Sequence, residues 1–242
     1  MKKEYYQQYY QWVKTHWWFR ARRKIILNIL KQFKLKKSSL SILNIGCADT
    51  LQDIQELFLS NRWFNLDIDY NTVVHSRSKT TFSIQGDAQH LPFRDNSFHI
   101  VFLLDILEHI NHDEIALQEA TRVCRPSGHI IITVPAHRWL WGPQDEISQH
   151  YRRYQKKELI QLINKHSLTI KKLTYFNTFL FPFIAITRIF YKIKKPKTLR
   201  SDFELNNSFF NSLFYQIFCC EKFILTKLNF PFGTSLLSLC QK

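Results

Sequence analysis

Short apolar runs alternate with amphipathic segments through the middle of this chain. Residues 42–45, 63–66, 98–104, 129–134 and 170–176 read as strands, and the run at 98–104 is apolar enough to be buried. Between them, residues 53–60, 112–124 and 156–166 carry apolar positions at helical spacing. Strand–helix alternation of this kind predicts an α/β chain with a doubly wound parallel sheet. Ahead of it, residues 4–34 predict one helix, with Trp18, Arg22, Ile25, Ile26 and Ile29 recurring at helical spacing until Ser38 and Ser39 break the pattern. After residue 176 the pattern changes again. Residues 178–193 are dense in Phe and Ile, and residues 205–220 form a second uncharged, Phe-rich run. The uncharged stretch 173–187 is only 15 residues and contains Asn177 and Pro182, too short for a spanning helix, which needs about 20 apolar residues.

The turns between strands carry the candidate chemistry. The first apolar run enters Gly46-Cys47-Ala48-Asp49-Thr50, and an acid, Asp67, closes the next run 21 residues after Gly46. A further acid stands in Gly86-Asp87-Ala88-Gln89-His90. A glycine turn after one strand, an acid after the next and a polar residue one strand later suit an adenosyl cofactor along the carboxyl edge of a parallel sheet. The turn permits close approach, and the acid accepts two ribose hydroxyls.

That order, with Asp105-Ile106-Leu107-Glu108-His109 and Arg122-Val123-Cys124-Arg125-Pro126-Ser127-Gly128 following it, resembles the class I S-adenosylmethionine-dependent methyltransferases. The group it is most similar to is the small-molecule, ubiquinone-biosynthesis-like type (methyltransferase type 11), over roughly residues 40–175. The resemblance implies a mostly parallel seven-stranded, Rossmann-like sheet with S-adenosyl-L-methionine as cofactor. It also implies a methyltransferase domain at 39–176 and an N-terminal basic and aromatic helical lid at 1–38; the pattern of the tail itself predicts a basic, apolar helical extension at 177–242. Cofactor contacts are then expected from Gly46, Cys47, Ala48, Asp67, Ile68, Asp87, Ala88 and Asp105, with Asp69 replacing Asp67 if the register shifts by two. The family's loop holds three glycines where this chain has Gly46, Ala48 and Thr50. A non-catalytic, cofactor-binding module with the same fold therefore stays open as an alternative.

Methyl transfer from a sulfonium needs alignment more than acid–base work. A hydroxyl acceptor adds the need for a base, for which His109 is a candidate. The segment from His137 to Tyr154 is the most distinctive in the chain. His137, Asp145 and His150 are its catalytic candidates, and Trp141, Arg153 and Tyr154, with Trp18 and Arg22 of the lid, its substrate-binding candidates. Paired Arg152 and Arg153 suit a phosphate or carboxylate. The spacing of His137, Asp145 and His150 matches no usual metal pattern, so no metal is expected.

Charge sharpens the division of the chain. Net charge is +15, yet residues 41–150 hold 14 acids against 7 Lys and Arg. Residues 1–40 hold 11 bases against one acid, and residues 151–242 hold 16 against four. Basic, aromatic flanks suit an anionic membrane surface, with Lys192, Lys194, Lys195, Lys197 and Arg200 bordering the first Phe-rich run. They equally suit a lid packed on the core. Nucleic acid is the weakest partner, because the charge lies outside the motif-bearing region. Five cysteines without pairing or metal spacing and an N-terminus without an apolar signal core predict a reduced, cytoplasmic chain; the basic, Phe-rich tail leaves a peripheral position at the inner membrane face open beside a lid packed on the core. The expected activity is methyl transfer, to oxygen, on a small or lipid- or glycan-linked acceptor. The sequence leaves the oligomeric state unknown.

Overall fold

The computed structural model describes residues 6–35, 39–48, 51–58, 60–77, 81–194, 200–204 and 207–242. Asp49, Thr50, Lys195, Lys197 and the start of the second Phe-rich run therefore lie outside the described residues. Two helices, α1 (Tyr6–Thr15) and α2 (Trp17–Gln32), precede β1 (Ser41–Ile45), α3 (Gln52–Leu57), β2 (Arg62–Asp67), α4 (Tyr70–His75) and β3 (Thr81–Gln85). Then come β4 (Phe98–Leu104), α5 (Asp113–Val123), β5 (Cys124–Pro135), α6 (Pro143–Ile147), α7 (Lys156–Lys165) and β6 (Thr169–Phe176). The chain ends with α8 (Phe181–Lys194), α9 (Ser208–Leu225) and β7 (Ser235–Gln241).

The seven strands form one sheet in the order β3-β2-β1-β4-β5-β7-β6. The first five run parallel, and β7 is antiparallel to both of its neighbours. The central strands read as apolar runs because both faces are covered. Leu43, Ile45, Val101 and Leu103 face a core shared with Leu117 of α5 and Ile163 of α7. Their strand neighbours Ile42, Ile100 and Phe102 face a second core, shared with Ile25 and Ile29 of α2, Ile54 of α3 and Phe218 of α9. This is the doubly wound sheet that the pattern predicts, in the mostly parallel seven-stranded, Rossmann-like form that the resemblance implies.

Two differences from the sequence reading have clear physical causes. The single helix expected over 4–34 breaks at His16, whose extended backbone (φ −73°, ψ 137°) caps α2. Its imidazole accepts the Trp18 N–H at 3.3 Å, and burial pushes that ring down to about pKa 3, keeping the accepting lone pair. The tail, read as helical over 177–242, is helical only to Leu225. Its last apolar run alternates between the two cores, with Leu236 and Cys240 on one and Leu237 and Leu239 on the other. It therefore inserts as β7 between β5 and β6 and completes the sheet.

Candidate active site

Four strands end side by side on one edge of the sheet. In the order β3, β2, β1, β4, the chain delivers Asp87, Asp67, Gly46 and Asp105 just at or beyond their carboxyl ends. Gly46 has φ +76°, and a Cβ there would lie 1.8 Å from Ile106 Cδ1, so both conformation and packing demand glycine. Cys47 beside it is buried, and its thiol is pushed up to about pKa 12. Ala48, in the second glycine position of the resemblance, is not among the residues with positive φ. Leu51, by contrast, adopts φ +52°.

Asp67 ends β2 and accepts the Asp69 N–H at 3.0 Å. Burial pushes its carboxyl up to about pKa 6, although backbone hydrogen bonds oppose the shift. Ile68, the next residue, is 68% exposed. A carboxylate beside an exposed apolar side chain offers what a nucleoside needs: an acceptor for hydroxyls and a surface for the base. Asp69 is committed elsewhere, capping α4 through the Thr72 N–H at 2.8 Å and the Thr72 hydroxyl at 2.9 Å. Asp87 turns the chain through the Gln89 N–H at 2.8 Å, with buried Ala88 between them. Asp105 has φ +55° and pairs with the buried Arg22 guanidinium, which also lies 4.6 Å from the Trp18 ring.

From Asp105 this edge continues into a cavity of ≈ 280 Å³. Its apolar lining comes from Trp17, Trp18 and Phe19 of α2, Phe183 and Ile184 of α8, and Phe214 of α9. Its polar lining includes Asp105, Glu108, His109, Asp145, His150 and Arg153. Asp145 is fully buried and triply bonded. It accepts Arg153 Nε at 2.8 Å, His150 Nδ1 at 2.9 Å and the Gly142 N–H at 2.8 Å. Burial alone would raise its pKa, but the His150 hydrogen bond and the Arg153 charge overcome it and hold the group at about 2. Asp145 is thus a carboxylate, and the His150 proton on Nδ1 is assigned from that bond. The rings of His109 and His150 stand edge to face, 4.5 Å apart. Burial, aided by His150, lowers His109 to about pKa 3, so its imidazole is neutral.

The fold thus gathers His109, Asp145, His150, Trp18, Arg153 and Asp105 at one cavity, but not the remaining candidates. His137 stacks on Tyr175 at 5.1 Å and lies outside the cavity lining, in a φ +61° conformation. Trp141 donates its indole N–H to Glu146 at 2.5 Å, and the Tyr154 hydroxyl donates to Asp113 at 2.6 Å; neither lines the cavity. The arginine pair is also engaged internally. Arg152 bonds Asp113 and the Asn111 carbonyl, while Arg153 holds Asp145 and the Ala136 carbonyl. Phosphate capture by a free fork is thereby corrected to internal pairing.

Two contributors escaped the sequence reading. Glu108, one residue before His109, is fully buried, and neither carboxylate oxygen has a hydrogen-bond partner. Arg188 of α8 pairs with Asp202 and packs against Gly142, where a Cβ would lie 2.6 Å from Arg188 Nε. Nothing local in the sequence marks either residue, because each is defined by burial against a distant segment.

Comparison with known proteins follows the same edge. Residues 43–132 match a family model described as a methyltransferase domain. An uncharacterized protein of Methanocaldococcus jannaschii is 31% identical over 114 residues, 44% of this chain and 45% of that protein. A ubiquinone/menaquinone biosynthesis C-methyltransferase of Legionella pneumophila is 43% identical over 49 residues, 20% of each chain. Matches to the first curated relatives span between 27% and 56% of those proteins' own length. Among solved structures, a SAM-dependent methyltransferase of Thermotoga maritima superposes with a TM-score of 0.59 at 13% identity, covering 99% of this chain and 97% of that one.

Proposed function

Because residues 43–132 form a class I S-adenosylmethionine-dependent methyltransferase domain, we propose that this chain transfers a methyl group to an acceptor held in the aromatic cavity beside Asp105. The observation that carries this reading is the continuity of the two half-sites. The cofactor edge (Gly46, Asp67, Asp87, Asp105) runs into the cavity through a shared residue, Asp105. S-adenosylmethionine is the domain's cofactor, and when bound it supplies an activated methyl on a sulfonium. Asp67 would take the ribose hydroxyls, Ile68 and Ala88 the base, and Asp105 the methionine end.

The chain's own residues then have three tasks. Trp17, Trp18 and Phe183 exclude water and clamp an apolar or ring-bearing acceptor. Asp145 fixes the His150 tautomer, leaving the Nε2 lone pair to receive a proton from an acceptor hydroxyl. Neutral His109 beside it can hold the acceptor by hydrogen bonding. These groups favour oxygen as the methylated atom.

The same reading extends to where the acceptor resides. Phe183 lines the cavity yet is 54% exposed, and Ile186, Ile189, Phe190 and Ile193 continue outward along α8 as exposed side chains. Phe209, Phe210 and Phe223 of α9 are exposed as well. With Lys192 and Lys194 at the end of α8, this surface suits an acceptor presented at an anionic lipid interface, one that is lipid- or glycan-linked. Among the described residues no helix is long and apolar enough to cross a membrane.

A cell extract incubated with cofactor labelled at its methyl group, then fractionated, tests the proposal. Label in a lipid or glycan fraction, dependent on Asp67, supports it. Calorimetric titration with S-adenosylhomocysteine showing no heat at millimolar ligand would sink it. A second reading, a cofactor-binding module without transfer, is favoured by the Arg22–Asp105 pair, which already occupies the charge of Asp105. That reading predicts cofactor binding with no label transferred to any fraction.

A further inference from the structure

The buried carboxyl of Glu108 has no role in the mechanism above, and its position is costly. Glu108 is fully buried, and both oxygens lack a hydrogen-bond partner. Asp105 and Asp145 face it as further acids, with Arg22 the nearby cation. Burial of an unpaired acid among acids is unfavourable unless something positive completes the site.

We propose that Glu108, His109 and His150 form a binding site for one divalent transition-metal cation at the polar end of the cavity. Their ligand atoms lie within 4.8 Å of one another. Tetrahedral ligands of one cation stand about 3.4 Å apart at bond lengths of about 2.1 Å, so the widest pair closes by up to about 1.4 Å on binding. His150 is already oriented as a ligand. His150 gives its Nδ1 hydrogen to Asp145, the carboxylate–histidine arrangement that steers Nε2 toward a metal. The His109 ring stands edge to face with that of His150, 4.5 Å between ring centroids. Two imidazoles and one carboxylate suit Zn²⁺, Mn²⁺ or Fe²⁺ better than Mg²⁺ or Ca²⁺, which take mainly oxygen ligands.

All three residues line the cavity, so the remaining coordination positions open onto the acceptor. Cation binding itself does not depend on the proposed methyl transfer; the consequence for the acceptor does. Coordination would orient an acceptor oxygen and acidify its hydroxyl, releasing the proton to solvent rather than to His150. Two chain segments build the site, the turn after β4 and the turn between α6 and α7. This is why a search for metal spacing around residues 137–150 alone does not reveal it.

The test uses the full chain, stripped with chelator and free of cofactor, titrated with Co²⁺, Zn²⁺ and Mg²⁺. The expected result is one equivalent of Co²⁺ or Zn²⁺ bound, at least tenfold tighter than Mg²⁺, with Co²⁺ absorption bands of nitrogen and oxygen ligation. Cation should raise the melting temperature of the wild type and not that of Glu108→Gln. The amide introduced by that substitution is uncharged, so the variant should fold without metal at least as well as the wild type. Asp145→Asn, which keeps all three ligands, should weaken Co²⁺ by about 10- to 100-fold. No saturable binding at millimolar cation overturns the proposal. So does binding that persists in Glu108→Gln, or a Co²⁺ spectrum dominated by thiolate. Because cofactor is absent throughout, neither result bears on methyl transfer.

Discussion

Replacing Asp67 with asparagine separates the cofactor reading from a merely structural one. Asp67 stands at the end of β2 with its carboxyl pushed up to about pKa 6 by burial. Only the carboxylate accepts from two hydroxyls at once, and hydrogen bonds to a charged group contribute about 1.5–3 kcal/mol each. Loss of both would cost about 3 kcal/mol or more, roughly a hundredfold in Kd. The pH dependence gives a second, sharper signature. In the free protein Asp67 is ionised above pH 6 and protonated below it. Affinity for S-adenosylhomocysteine should therefore be flat above about pH 7 and weaken up to tenfold per unit as pH falls below about 6. It levels off only beneath the lower pKa of the bound state. Asp67→Asn should bind about a hundredfold more weakly at pH 8 and lose that slope between pH 7 and 5. Calorimetry at four pH values, with circular dichroism confirming the fold, reads both effects. An Asp67→Asn chain that binds as tightly as wild type, or that keeps the wild-type slope, refutes the assignment.

Gly46→Ala should destabilise the fold by about 2 kcal/mol or more in urea melts, since the new Cβ meets Ile106 in a positive-φ position. An unchanged midpoint would contradict the packing argument. Glu221 is fully buried and accepts the N–H groups of Asn177, Thr178 and Phe179, yet burial raises it to about pKa 7. A raised folded-state pKa means that its contribution is complete below about pH 4.5 and lost as pH rises through 7. Melts at pH 5 and 8 should show this fall, on the order of 3 kcal/mol, and Glu221→Gln should flatten it; an identical slope in the variant argues against this source. The chain should co-sediment with anionic vesicles and be released largely by salt, each lysine near the surface adding roughly 1 kcal/mol. Equal partition onto neutral vesicles would remove the electrostatic part of that reading.

The placing of Gly46, Asp67, Asp87 and Asp105 at neighbouring strand ends was legible because every feature of it is local. A strand, its turn and its terminal acid lie within a few residues of each other, and the sheet's periodicity fixes the distance to the next strand. Asp67, rather than Asp69, could be favoured on spacing alone, and the structure gives the reason: Asp69 is taken up by the cap of α4. The acceptor side obeys no such rule. Its apolar lining joins residues 17–19 to 183–184 and 214, and Asn28 of α2 donates to the Lys222 carbonyl of α9 across 194 positions at 2.7 Å. Nor could the sequence reveal that β7 would complete the sheet, because a run of Leu and Ser at the end of a Phe-rich tail has no local mark of its partner strands. Composition also misdirected the reading of Arg152 and Arg153. Paired arginines near an active-site edge look like anion binders, but Asp113 and Asp145, neither of them marked as a partner by the sequence, already satisfy them. Burial reverses the expectation for Glu108 as well. On a helix surface it would be an ordinary solvated acid; enclosed beside His109 and His150, its carboxyl is left without a hydrogen-bond partner.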